Sequence, residues 1–206
     1  MTVTHVELLV EEPSMQAALE CLLPGILEGL EFSVHPFQCK NDLLSSLPSR
    51  LLGYSKWLPP DWRIVVLVDR DNDDCRELKR RLEEVACKSG LRTRSSVAGG
   101  AYQLVNRVVI EELEAWYFGD WAAVRKAYPR APERIPSKAA YRDPDAIQGG
   151  TWERFERIMR KAGYFKAGLR KTDAARAIMA NLDPDANTSR SFQVLRNVLR
   201  EIASQQ

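Results

Sequence analysis

Five apolar residues, Ile64-Val65-Val66-Leu67-Val68, follow Arg63 without interruption and stop at Asp69-Arg70-Asp71-Asn72-Asp73-Asp74. A strand exposed to water on one side alternates apolar and polar residues. A continuous β-branched run instead requires cover on both faces, as in the centre of a parallel sheet clad by helices. The abrupt change to acidic residues marks the carboxyl end of that strand, the edge where open parallel sheets collect functional groups.

The rest of the chain supplies partners for such a sheet. Thr4 to Val10 reads as a strand ended by Glu11-Glu12-Pro13, and Met15, Ala18, Leu19, Leu22 and Ile26 recur at helical spacing across residues 13 to 30, with a bend expected at Pro24. Phe32 to Phe37 predicts a strand and Asp42 to Leu52 a short helix. Cys75 to Ser89 predicts a helix closed by Gly90. Leu91 to Val97 and Leu104 to Ile110 read as two further strands around the Gly99-Gly100 turn. Strands alternating with helices at this spacing imply a doubly wound parallel sheet. Helices are then expected over Glu111 to Phe118, Trp121 to Tyr128, Trp152 to Ala162 capped by Thr151, Thr172 to Leu182, and Ser191 to Ala203, with a long loop from Pro129 to Gly150. The division is an α/β core over residues 1–128 and a loop with a C-terminal helical extension over residues 129–206.

Composition narrows the chemistry. No apolar run reaches the roughly 18 residues of a membrane span, and the first residues lack a basic start before an apolar stretch, so a cytoplasmic protein is expected. Cys21, Cys39, Cys75 and Cys87 stand singly, which predicts reduced and mostly buried thiols. With only His5 and His35 in the chain, a histidine triad or multi-histidine metal site is excluded. Carboxylates, lysines, arginines and hydroxyls remain. The net charge of +2 hides an asymmetry: residues 1–123 hold 13 Lys/Arg against 19 Asp/Glu, and residues 124–206 hold 17 against 9. Either two helical surfaces are solvated with opposite bias, or an acidic site faces a phosphate-rich ligand.

Glu11 directly follows the first strand, and Asp69 and Asp71 follow the central one, so all three open on the same sheet edge. Carboxylates gathered there repel one another unless a cation sits among them, and an oxygen-only set suits Mg²⁺. Asp73 and Asp74 read more simply as charges at the start of the next helix. In Glu111-Glu112-x-Glu114, Glu111 and Glu114 are three apart and are expected on one helix face, with Glu112 pointing elsewhere.

Val10-Glu11-Glu12-Pro13-Ser14 at the end of the first strand, with Asp69-Arg70-Asp71 at the end of the later one, resembles the Toprim domain of topoisomerases, primases and overcoming-lysogenization-defect nucleases. Glu12 stands where that pattern has glycine. More of the chain resembles the bacterial family of domain of unknown function 4276: Glu114, Trp116 and Asp120 between Ile110 and Asp120 fall at matching places, as do Tyr164-Phe165-Lys166, Lys171 and Asn187-Thr188-Ser189-Arg190-Ser191-Phe192. The resemblance implies a Toprim-like parallel sheet flanked by helices, with Mg²⁺ or Mn²⁺ supporting phosphodiester cleavage. It implies Glu11 as metal ligand or general acid/base, Asp69 and Asp71 as metal ligands, and Glu114 as a further ligand.

The function expected is that of a metal-dependent nuclease in a bacterial, anti-phage defence setting. Glu11 and Lys171 are the candidate catalytic groups, and Lys166, Lys171 and Arg190 the candidates for holding a nucleic-acid backbone, ahead of Arg154 and Arg157. Trp116 and Trp152 are candidates for base stacking, although such residues more often anchor cores. The alternative is a Toprim-like subunit that works only with a separately encoded ATPase, since the chain has no phosphate-binding G-x-x-x-x-G-K segment of its own. A phosphatase with Asp69 as nucleophile is a third reading, disfavoured because the D-x-D follows the third expected strand.

Overall fold

In a computed structural model the described residues are 2–97 and 99–205. Four strands, β1 (His5–Val10), β2 (Glu31–Pro36), β3 (Trp62–Asp69) and β4 (Leu104–Val109), form one sheet in the order β2-β1-β3-β4 with every pairing parallel. β1 and β3 lie inside the sheet, and all but Trp62 at the start of β3 are buried along both strands, as the unbroken apolar run requires. β1 is followed by α1 (Pro13–Leu27) and then moves outward to β2, whereas β3 is followed by α3 (Cys75–Lys88) and moves outward to β4 on the other side. The winding direction therefore reverses between β1 and β3, and loops leaving their carboxyl ends diverge to leave a crevice there.

The helices divide between two apolar layers. Leu9, Ile64, Val66 and Val68 point toward Leu43, Leu47 and Leu51 of α2 (Lys40–Trp57) and Leu78 and Leu82 of α3. Val6, Leu8, Val10, Val65 and Leu67 point toward α1 and the later helices α4 (Glu114–Gly119), α5 (Trp121–Ala127), α6 (Thr151–Lys161), α7 (Lys171–Met179) and α8 (Arg190–Ala203). Phe155, Ile178 and Phe192 belong to the same buried cluster as Leu19 and Leu23 of α1, so the C-terminal helices complete one face of the sheet.

Several local expectations are corrected. Residues 91–97 are not a strand: only Thr93 makes an isolated bridge to Leu104, because Thr93 and Ser96 hydrogen-bond to each other's backbone and turn the chain. α2 runs well past Leu52 and carries Pro48 within it. The helix expected from Glu111 starts at Glu114. Thr151 is the first residue of α6 and not its cap; its N–H (3.1 Å), its hydroxyl (2.8 Å) and the Trp152 N–H (3.0 Å) all donate to Glu112 Oε2, a cap delivered from a distant segment. Residues 129–150 contain two short 3₁₀ turns, Ala139–Tyr141 and Pro144–Ala146. None of the four thiols is buried: Cys39 and Cys87 are exposed, Cys21 and Cys75 half-buried.

Both histidines are spent on structure. His5 Nε2 lies 3.1 Å from Glu7 Oε1, His35 Nε2 lies 2.5 Å from Glu7 Oε2, and the Tyr54 hydroxyl donates to the same oxygen at 2.8 Å. This buried polar knot ties β1, β2 and α2 together below the carboxyl edge of the sheet.

Candidate active site

Glu11 and Asp69 meet across the crevice. Glu11 Oε2 accepts the Asp69 backbone N–H at 3.0 Å, a bond made possible because β1 and β3 are adjacent and in register up to Val10 and Leu67. Asp69 is 5 % exposed and its Oδ1 has no hydrogen-bond partner. Burial, then the charges of Glu11 and Glu114, hold its carboxyl well above the usual carboxylate range. Burial likewise pushes Glu11 up to about 7, against the lowering effect of the Asp69 N–H.

Glu114, at the start of α4, is 1 % exposed, and neither of its carboxylate oxygens has a partner. Burial raises it to about 7 even though the nearby Lys171 ammonium pulls the other way. Lys171, the first residue of α7, is surrounded by acid: burial lowers its pKa, but Glu114, Glu12, Glu112 and Asp69 outweigh that and leave it raised. Its Nζ sits 3.4 Å from Glu12 Oε1 and 5.7 Å from the centre of the Trp152 ring. Glu12 in place of glycine is thereby accounted for. Its φ of −147° is ordinary extended backbone, and its carboxylate is shared by Lys171 and the Ser14 hydroxyl.

Asp71 is arranged differently. It adopts a positive φ of 50°, held by its N–H donating to Glu111 O at 3.0 Å, and its carboxylate faces Lys40. The Lys40 ammonium lies 3.2 Å from Asp71 Oδ2, 2.7 Å from Asp73 Oδ2 and 2.8 Å from Arg70 O. Asp71 still acts on its neighbours, since its charge is among those that raise Glu11 and Asp69. Asp74 caps α3, accepting the N–H groups of Arg76 and Glu77 at 2.9 Å each, as its position suggested. Glu111 does not share a helix face with Glu114. It precedes α4 and pairs with Arg70, while Glu112 caps α6.

The proposed backbone-binding cations do not converge. Lys171 is in the site, Lys166 is exposed on the turn before α7, and Arg190 lines a separate cavity beside β4. Arg154 is engaged by Gln148 O at 2.9 Å. Trp116 is fully buried against Phe192 and is a core residue, not a stacking platform.

Two site residues escaped sequence reasoning. Lys40 opens α2 immediately after β2, so it stands at the same sheet edge as the acids, and that position was the available signal. Tyr117 lies three residues after Glu114 on α4; its hydroxyl is buried without a partner, and burial followed by the charge of Glu114 raises it well above the usual tyrosine range. The donors present are oxygens with orphaned lone pairs, the chemistry a hard divalent cation takes. Among the described residues no three His, Cys, Asp or Glu side chains stand gathered as a ready cation cage.

A parallel sheet with this winding and acidic carboxyl edge is a Toprim-like α/β fold, and solved structures share it. The C-terminal region of the Xanthomonas campestris pv. campestris OLD protein aligns with a TM-score of 0.51 at 17% identity, covering 98% of this chain and 94% of that one. The corresponding region of the Burkholderia pseudomallei OLD protein gives 0.50 at 17% identity, covering 98% and 100%. The chain belongs to the family Domain of unknown function (DUF4276), which matches residues 10–200. No curated protein matches it. Among the described residues no helix is long and apolar enough to cross a membrane.

Proposed function

We propose that this chain is a metal-dependent phosphodiesterase acting on nucleic acid in a bacterial defence setting. The observation that carries the reading is the set of orphaned, buried carboxylate oxygens on Asp69 and Glu114, beside Glu11 and opposite Lys171. Acids so placed destabilise the fold when ionised, and a fold retains such an arrangement where a cation or substrate makes use of it. Asp69 with Glu11 or Glu114 would hold Mg²⁺ or Mn²⁺, ions that take one or two carboxylates and keep several waters, with Asp71 nearby and tied to Lys40. The bound ion supplies charge stabilisation for a phosphodiester under attack and a nucleophilic water at neutral pH.

The chain's own groups do the remainder. Lys171, fixed between Glu12 and the Trp152 ring, presents its ammonium to a bridging phosphate and offsets the negative charge that grows during cleavage. Where Glu11 is not itself a ligand, it can accept and return a proton near neutral pH, because burial pushes its carboxyl up to about 7. Trp152 walls the approach to Lys171. Lys166 lies exposed on the turn before α7, where a polyanionic strand can reach it.

The test is cleavage of single- and double-stranded DNA and of RNA with Mg²⁺ or Mn²⁺. Wild type is expected to cleave and Asp69→Ala to be inert. Equal inactivity of both on every substrate contradicts the proposal. An Mn²⁺-soaked crystal should show anomalous signal between the ends of β1 and β3.

A second reading has its own support. Lys40 already neutralises Asp71 and Asp73, which leaves the acidic loop closed to an ion. A chain in that state fits a subunit activated by a partner, such as a separately encoded ATPase, that moves α2. Cleavage seen only in the mixture, with wild type alone inert, favours this version.

A further inference from the structure

A cavity of about 390 Å³ lies away from the acidic crevice, at the outer side of β4. Its walls include Lys79 of α3 and Val194 of α8. Those helices cover opposite faces of the sheet, so a space touched by both can lie only at the sheet's free edge, where β4 has no strand neighbour.

The backbone along that edge is in part unmatched. In a parallel ladder each residue turns its N–H and C=O to the same side, and successive residues alternate. Gln103 O and Val109 O face β3, accepting the N–H groups of Ile64 and Arg70 at 2.8 Å each. Leu104, Asn106, Val108 and Ile110 therefore face outward. Leu104 is satisfied by residues 92–94, donating to Arg92 O at 3.2 Å and accepting from Arg94 N at 2.8 Å. Asn106 O takes the Lys79 ammonium at 2.6 Å. The outward groups of Val108 and Ile110 open on the cavity, where both residues form part of the lining.

Side chains there are also left wanting. Asn106 is fully buried and its Oδ1 has no partner; the Arg107 Nε is buried without one. Among the described residues neither Arg107 nor Arg190 has an ion pair, although both line the cavity. Asp145 cannot serve them well, because it is occupied by the Ser189 hydroxyl and the Ser191 N–H at 2.7 Å each. Apolar surface completes the wall, with Val194 42 % exposed.

We propose that this groove receives an extended acidic peptide of a partner protein, which adds a short strand along Val108 to Ile110 and sets a carboxylate against Arg107 and Arg190. Strand addition satisfies the free backbone groups, the arginines on the α8 face select acid, and Val108 and Ile110 on the α3 face receive apolar side chains. A nucleic-acid strand fits less well. It offers no backbone ladder to pair with the free groups of Val108 and Ile110. The inference stands on the edge of β4 and does not depend on cleavage chemistry.

The test uses the full ¹⁵N-labelled chain and the probe acetyl-Val-Glu-Val-Glu-Val-amide. The amide signals of Val108 and Ile110 are expected to shift, and their hydrogen exchange to slow. The Lys-for-Glu analogue and a backbone N-methylated analogue should do neither. Arg190→Gln, an exposed change that leaves the fold intact, should weaken binding about tenfold, and the Arg107→Gln/Arg190→Gln pair further. Unchanged Val108 and Ile110 signals at about 5 mM acidic peptide overturn the proposal. Equal binding of the lysine analogue does so too, as does a single-stranded oligonucleotide that shifts these amides where the acidic peptide does not.

Discussion

Replacing Glu114 by Gln should stabilise the protein above neutral pH while abolishing the cleavage proposed for it. The carboxyl is buried with neither oxygen partnered, and burial raises it from 4.5 to about 7 despite Lys171. A carboxyl whose folded value is raised contributes stability fully below its unfolded value, and that contribution is lost as pH climbs through the folded one. The window here runs from about 4.5 to about 7. At about 1.4 kcal/mol per pH unit, full ionisation of this one buried group withdraws about 3 kcal/mol. Gln imitates the protonated form at every pH, and Lys171 keeps Glu12 as its partner in the variant. Urea unfolding at pH 5 and pH 8 reads the effect: wild type should lose about 2 to 3 kcal/mol more than Glu114→Gln between them. Added Mg²⁺ should stabilise wild type at pH 8 more than the variant. Parallel pH profiles for the two proteins would refute the reasoning, because Glu114 would then titrate as an ordinary surface acid.

Lys40→Met should leave Asp71 and Asp73 without their cation and tighten Mn²⁺ binding at least about tenfold, measured by paramagnetic resonance; unchanged affinity would show that the lysine does not guard the loop. Lys171→Met should lower cleavage by about 100-fold or more with Mg²⁺ binding retained, whereas Lys166→Met should mainly weaken substrate binding and steepen no pH profile, a division that initial-rate kinetics resolves. Asn187→Ala should cost about 2 to 4 kcal/mol in thermal or urea unfolding. Its fully buried amide donates to Trp116 O and accepts from Ser189 N–H, both at 2.9 Å; the Ser189 N–H would be stranded, while Trp116 O would keep only the longer bond from Asp120 N–H at 3.3 Å.

The parallel sheet was legible because Ile64 to Val68 carry one local message, burial on both faces, and because Glu11 and Asp69 each end a strand. Strand ends are marked by short-range changes of polarity, which a sequence displays directly. The helical character of the last third was legible for the same reason, through apolar residues such as Phe155, Ile158, Leu195 and Ile202 at helical spacing. The false strand at residues 91–97 shows the limit: its residues suit a strand, but side-chain bonds between Thr93 and Ser96 bend them away from the ladder.

What the site holds could be read only in part. That Glu11 and Asp69 share an edge follows from alternation of strand and helix, and the fold bears this out with a bond between them. That Asp71 faces Lys40, that Glu112 caps a helix 39 residues away, and that Arg190 sits beside β4 depend on which elements become neighbours after packing. Period and polarity are properties of a segment and survive in one dimension. The partner of a charged side chain is a property of two segments, and it comes into being only when the core closes and brings them together.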